Sequence, residues 1–275
     1  MRAMKKTILS MLALSAVALS SCSRDVDENV ISGDDKDVAG EVQPVEKFTV
    51  EIVDIHPFDP TSFTQGLEMD GEELIVGTGL QGESEVYRRD VTTGERSVTA
   101  EYDEEFFGEG LTVHGDDLWT LTWTSGTAIM RDKDTLEETG RSSYPGQGWG
   151  LCSDQERLYL SDGTENIRIM NPGTFSQEDH LTVTLEDTPV DNLNELECVG
   201  DVIYANVWGE NDIYRIDKNT GEVTGIVNAS SLDVEDHEDP DNVLNGIAYR
   251  EDTDTFFLSG KRWNDLYEVR FVPEA

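Results

Sequence analysis

The sequence predicts an all-β fold, a five-bladed β-propeller with four-stranded blades. Three observations carry that prediction. From Phe48 onward, short β-branched and aromatic runs alternate with Gly, Asp, Asn and Thr turn residues, and no run has a helical period. A short motif occurs five times: Phe63-Thr64-Gln65-Gly66-Leu67, Phe107-Gly108-Glu109-Gly110-Leu111, Gln147-Gly148-Trp149-Gly150-Leu151, Asn192-Leu193-Asn194-Glu195-Leu196 and Val243-Leu244-Asn245-Gly246-Ile247. Its fourth residues, at 66, 110, 150, 195 and 246, lie 44, 40, 45 and 51 positions apart, the length of one blade. The fifth repeat has only three strands, and the strand Phe48 to Ile55 has no repeat of its own. As the missing outer strand it closes the ring and removes an open edge.

The chain begins with a targeting pattern. Arg2, Lys5 and Lys6 precede an apolar run, Ile8 to Leu19, too short to span a bilayer. Leu19-Ser20-Ser21-Cys22 follows, so residues 1–22 read as a lipoprotein signal peptide with Cys22 as the lipidated residue. Residues 23–46 are polar, acidic and aperiodic, a flexible tether. The propeller is then 47–275, held outside the cytoplasm in a bacterial cell envelope (periplasm or outer membrane). Contact with the membrane is expected only through the lipid, and the domain is expected to be monomeric.

Composition limits the partners. The 275 residues carry 58 acids against 20 bases, a net charge of -38, which argues against nucleic acid. The acids are spread along the chain, a pattern that reads as adaptation to high salt. Besides Cys22, Cys152 and Cys198 remain. An oxidising compartment permits a disulfide, but their repeat positions do not quite match. They read as pointing to different faces, which favours two buried free thiols.

Within each repeat the motif opens a first strand. Second strands follow at Leu74 to Gly79, Leu118 to Trp123, Leu158 to Gly163, Val202 to Trp208 and Thr255 to Lys261. Third strands follow at Glu85 to Asp90, Thr127 to Arg131, Asn166 to Met170, Asp212 to Asp217 and Asp265 to Phe271. Outer strands read at Ser97 to Tyr102, Gly140 to Tyr144, His180 to Leu185 and Gly225 to Asn228.

The register of these repeats predicts a site. First strands line the channel of a propeller, so Gln65, Glu109, Trp149, Asn194 and Asn245 converge at one rim. Gly79, Trp123, Gly163, Trp208 and Lys261, at the ends of the second strands, surround them. Phe63 and Phe107 flank the pocket. An aromatic pocket with a few converging polar groups is the default ligand site, although each Trp also fits a structural blade position and Asn245 fits a cap on a neighbouring strand. Glu109 is the acid of the inner ring. Burial among aromatics raises a carboxyl pKa toward the range a general acid/base needs, and Lys261 as counter-ion opposes that shift. The four His show no metal-ligand spacing. The acid-dense insertion Asp233 to Asp241 reads as a solvated loop, with a structural calcium as the alternative.

In these residues the sequence resembles the plant and bacterial glutaminyl-peptide cyclotransferases. The matching segments are His56-Pro57-Phe58-Asp59-Pro60, the first two motifs, Leu121-Thr122-Trp123, Gly148-Trp149-Gly150-Leu151, Leu193-Asn194-Glu195-Leu196-Glu197, Ala205-Asn206-Val207-Trp208, Leu244-Asn245-Gly246-Ile247-Ala248 and Ser259-Gly260-Lys261-Arg262-Trp263. The resemblance implies a five-bladed propeller that cyclises N-terminal glutamine of peptides and proteins to pyroglutamate with release of ammonia, with no cofactor or catalytic metal. It implies Glu109 as catalytic acid/base and Phe63, Gln65, Phe107, Trp123, Trp149, Asn194, Trp208 and Lys261 as the substrate pocket. The competing readings are a non-catalytic surface-binding propeller and a calcium-dependent propeller lactonase or hydrolase, which would need several acids converging on the channel.

Overall fold

The computed structural model describes residues 44–154, 156–232 and 239–274. The signal reading, Cys22 included, and the tether reading as far as residue 43 fall outside them, as do residues 233–238 of the acidic insertion; the tether's last residue, Glu46, instead opens the first strand. Among the described residues all regular structure is strand.

The outer strand β1 (Glu46–Pro57) comes first. Next is a sheet of β2 (Thr64–Asp70), β3 (Glu73–Thr78), β4 (Glu85–Asp90) and β5 (Arg96–Glu101). The second sheet is β6 (Gly108–His114), β7 (Asp117–Thr122), β8 (Thr127–Asp132) and β9 (Glu138–Ser143). The third is β10 (Leu151–Ser153), β11 (Leu158–Leu160), β12 (Asn166–Met170) and β13 (Gln177–Thr182). A two-stranded ribbon, β14 (Thr184–Leu185) with β15 (Thr188–Pro189), follows. The remaining strands are β16 (Leu193–Val199), β17 (Val202–Val207), β18 (Asp212–Asp217), β19 (Val223–Asn228), β20 (Leu244–Arg250), β21 (Thr255–Gly260) and β22 (Asp265–Pro273). These seven and β1 form one sheet in the order β16-β17-β18-β19-β1-β22-β21-β20.

β1 lies antiparallel to β22 from Phe48↔Pro273 to Pro57↔Asp265, in the place expected of it. It also touches β19 in parallel over Glu46 to Thr49, which merges two four-strand groups into one sheet. The expected outer strand at His180 to Leu185 is instead β13 plus the start of the ribbon. Glu186 and Asp187 both have positive φ, 49° and 66°, and turn the chain back into a two-residue hairpin.

A repeated turn joins third to fourth strands. Asp90, Asp132, Asn171 and Asp217 each accept, on Oδ1, the N–H of the Thr three residues on, at 2.7, 2.8, 3.1 and 3.0 Å. Those bonds hold the Asp90 and Asp132 carboxyls below the ordinary carboxylate range.

The first strands touch in cyclic order: β2 with β6, β6 with β10, β10 with β16, β16 with β20 and β20 with β2. Five apolar clusters lie between successive groups of strands. One joins Ile75 and Val86 to Leu118 and Ile129, the next Trp119 and Leu121 to Leu158 and Met170. Tyr159 and Ile167 meet Ile203 and Ile216, Ile213 and Val227 meet Phe256 and Val269, and Phe257 and Leu266 meet Leu74 and Tyr87. Truncating one of these fully buried leucines to Ala should cost about 2–5 kcal/mol.

The free-thiol expectation is overturned. Cys152 on β10 and Cys198 on β16 form a disulfide, with Cα atoms 5.4 Å apart. Opposite faces were read as keeping them apart. In face-to-face sheets the reverse holds: the forward face of one sheet meets the backward face of the next.

Candidate functional site

Four of the five motifs carry a register shift in the first strand: between Thr64 and Gly66, Gly108 and Leu111, Leu193 and Leu196, and Leu244 and Ile247. Such bulges re-aim side chains, and Gln65, Glu109, Asn194 and Asn245 sit inside them. Crowding of the first strands accounts for the glycine at the fourth position of four of the motifs. A Cβ on Gly110 would come within 2.6 Å of the Trp149 carbonyl oxygen.

A recurring backbone bond sets the surrounding residues beside the inner ones. Gly79, Trp123, Trp208 and Lys261 donate their N–H to the carbonyls of Phe63, Phe107, Asn192 and Val243, at 2.8, 2.9, 2.8 and 3.0 Å. Gly163, at φ 81°, makes room for the Trp149 indole, which a Cβ there would meet at 2.7 Å.

These positions open on a cavity of about 410 Å³. All nine site residues expected from the sequence line it: Phe63, Gln65, Phe107, Glu109, Trp123, Trp149, Asn194, Trp208 and Lys261. Phe63 and Phe107 meet edge to face at 6.1 Å, and Phe107 and Trp123 tilt together at 5.6 Å. Trp123 and Trp208 are 40% and 44% exposed, so they form the mouth. Asn245 stays out of the lining. Its Nδ2 donates to the Thr64 carbonyl at 3.1 Å, the strand-capping alternative.

Glu109 is 5% exposed, and among the described residues nothing hydrogen-bonds its carboxylate. Burial pushes its pKa well above the ordinary carboxylate value, and the Lys261 charge pulls it partway back. Lys261 is moved the other way: burial lowers its pKa, while Glu109 and Asp241 raise it again. The pair is not in direct contact, since no ion pair joins them within 4.0 Å among the described residues. Lys261 Nζ lies 4.9 Å from the Phe63 ring centroid.

The sequence reading missed several groups. Leu80, Asp239, Asp241 and Arg262 also line the cavity, and Arg262 pairs with Asp239 at 2.9 Å. The end of the acidic insertion therefore faces the pocket and is not wholly solvated. Gln147 lies outside the lining, yet its Oε1 accepts from both the Trp123 and Trp149 indoles, at 2.7 and 2.9 Å. It opens the third motif, but that position gives it no role, which comes only from the three-dimensional approach of two tryptophans.

The expectation of one interior acid also fails. Glu195 and Glu197 are buried and Glu68 is partly so. Glu195 accepts the Leu67 N–H on one oxygen at 3.3 Å and the Ile247 N–H on the other at 2.9 Å. Glu197 accepts from the Tyr249 N–H, and Glu68 from Thr112 and the Val113 N–H. Glu68 and Glu197 reach a wider cleft of about 1400 Å³, lined by His114, Asp154 and Lys218 among others. No group of three or more His, Cys, Asp or Glu among the described residues is arranged to hold a metal ion. That cleft has Tyr249 where the smaller cavity has two Phe and three Trp, and the smaller cavity is the better candidate for chemistry.

Comparison with known proteins agrees with this geometry. The glutamine cyclotransferase family profile matches residues 14–271. The glutaminyl-peptide cyclotransferase of Arabidopsis thaliana is 36% identical over 227 residues, covering 80% of this chain and 71% of that protein. The crystal structure of Myxococcus xanthus glutaminyl cyclase superposes with a TM-score of 0.77 at 30% identity, over 84% of this chain and all of that one. The chain belongs to the glutamine cyclotransferase family.

Proposed function

We propose that the protein is a glutaminyl-peptide cyclotransferase that converts N-terminal glutamine of peptides and proteins to pyroglutamate, releasing ammonia, on a five-bladed propeller. The cyclic contacts of the first strands, the five inter-sheet cores and the place of β1 beside β22 support the count of five. The observation that carries the chemistry is Glu109: a carboxylate buried at the floor of an aromatic pocket, with no hydrogen bond among the described residues.

The neutral α-nitrogen attacks the side-chain amide carbon. A new C–N bond closes a five-membered lactam, and the amide nitrogen leaves as ammonia. The attack is already intramolecular, so the enzyme has to hold the side chain bent and move protons. Glu109 takes a proton from the attacking nitrogen and returns it to the departing one. Its raised pKa suits both transfers. Gln65, Asn194 and Lys261 line the same cavity as hydrogen-bond donors for the oxyanion that develops on the amide oxygen. Phe63, Phe107 and the tryptophans exclude water around them. Each step is assigned to a side chain of this chain, and none calls on a metal or cofactor.

A Gln-initiated peptide incubated with the protein and a chelator should lose about 17 mass units, one ammonia. An unchanged mass would leave the site a binding pocket. The lipid anchor at Cys22 is proposed on the N-terminal sequence alone, and labelling with a radioactive fatty acid, lost in Cys22→Ser, tests it. Adaptation to high salt is proposed on net charge alone. Loss of folded protein on dialysis to low salt is the expected result.

A further inference from the structure

Asn245 is fully buried on β20, outside the pocket lining, and its Nδ2 has two acceptors. One is the Thr64 backbone carbonyl at 3.1 Å and the other is Gln65 Oε1 at 2.9 Å. The first fixes the second. A backbone carbonyl only accepts, so the nitrogen end of the Asn245 amide must face Thr64. That same nitrogen then faces Gln65, whose amide must present oxygen to it. Gln65 is left with its Nε2 hydrogens turned away from Asn245, and Gln65 lines the cavity beside Glu109.

We propose that Asn245 is a positioning residue that holds Gln65 as a hydrogen-bond donor to the amide oxygen of the substrate. A free glutamine amide offers either end to a ligand. One that offered its oxygen would repel the developing oxyanion rather than stabilise it. The chain of polarity runs from the Thr64 carbonyl through Asn245 to Gln65, with each orientation dictated by the one before. Neighbouring groups hold the anchor in place. Gly246 follows at φ 146°, and its N–H donates to Asn206 Oδ1 at 2.9 Å. The inference rests on the cyclotransferase reading of the pocket.

The test is a double-mutant cycle measured as ammonia release from a Gln-initiated peptide. Asn245→Leu should lower kcat about 10-fold with KM changed less than about threefold, the mark of a contact made mainly in the transition state. In a Gln65→Ala background the same substitution should cost less than about twofold, because the group it orients is gone. A merely structural Asn245 would give equal losses in both backgrounds, and that result overturns the proposal. So does a folded Asn245→Leu variant with normal kcat. If Asn245→Leu does not fold, Asn245→Ser, whose hydroxyl is too short to reach both acceptors, takes its place with the same expectations. A wild-type protein that releases no ammonia would overturn the cyclotransferase reading itself. A wild type that turns over beside an unaffected Asn245 variant overturns the positioning role alone.

Discussion

Glu109 and Glu195 occupy equally buried positions in adjoining residues of the same repeat motif, yet the structure gives them opposite surroundings. Burial raises the pKa of each well above the ordinary value. Glu195 stands where three other repeats have glycine and a fourth has Gly246, and it fills the space those leave. Each of its oxygens accepts a backbone N–H, from Leu67 on β2 and Ile247 on β20. Glu109 has no such bonds among the described residues, and it lines the cavity. Burial therefore does not separate a reactive carboxyl from a structural one. The hydrogen-bond count does, because a carboxyl whose lone pairs are already used has nothing to offer a substrate.

Substituting glutamine at each position tests that distinction most directly. Glu109→Gln should lower kcat about 10³-fold, the contribution of a positioned acid/base, and leave the melting temperature nearly unchanged. Near-normal ammonia release by that variant would remove Glu109 from the mechanism. Glu195→Gln should do the reverse. Its amide NH2 would confront one of two N–H donors, leaving that donor unpaired, so stability should fall by about 1–3 kcal/mol while kcat of the folded fraction holds. Thermal melts and active-site titration measure the two effects separately. A Glu195→Gln variant of full stability would show that the paired N–H groups do not decide the role of a buried acid here.

The same contrast shows what was legible in the sequence. Repetition revealed Glu109: five aligned motifs placed one acid in a ring of amides and an indole, and register carried Phe63, Trp123, Trp208 and Lys261 with it. Strand order followed for the same reason, since alternation and turn residues are local. Glu195 was in plain view as an acid at a glycine position. Its meaning needed the close approach of β16 to β2 and β20, which no local pattern encodes. The disulfide failed similarly. The repeat positions of Cys152 and Cys198 read as pointing them to different faces, and it is those faces that meet between neighbouring strands β10 and β16. Gln147 and Asn245 gain their roles only from what stands opposite them in space.

Lys261 sharpens the comparison at an intermediate scale, since its charge reaches Glu109 and not Glu195. It lowers the Glu109 pKa against the larger effect of burial. As a base Glu109 must be ionised, so kcat/KM should rise with pH through its pKa, with an acid limb above the ordinary carboxylate range. Lys261→Met removes the lowering influence. The acid limb of kcat/KM should therefore move to higher pH, as well as falling in height. An acid limb that stays in place or moves down would show that the pair is uncoupled.

Glu68 yields the smallest effect and a case between the two extremes. Among the described residues only Oε2 is bonded, by the Thr112 hydroxyl at 2.8 Å and the Val113 N–H at 3.4 Å. Its pKa is raised from 4.5 to about 7, first by burial and then by Asp70, with the Thr112 and Val113 bonds opposing. Its charge in turn raises the pKa of Glu195 and Glu197, after the larger effect of their own burial. A carboxyl with a raised folded-state pKa binds its proton more tightly in the folded chain. The stability it contributes is fully present below pH 4.5 and is lost as pH rises through about 7. Glutamine fits this position as it does not fit 195, because its Oε1 can accept both existing bonds and its NH2 faces no donor. Glu68→Gln should fold normally, keep its activity, and show a flatter fall in melting temperature between pH 4.5 and about 7 than the parent chain. An unchanged slope would mean that Glu68 is ionised throughout that range, with its bonds outweighing burial.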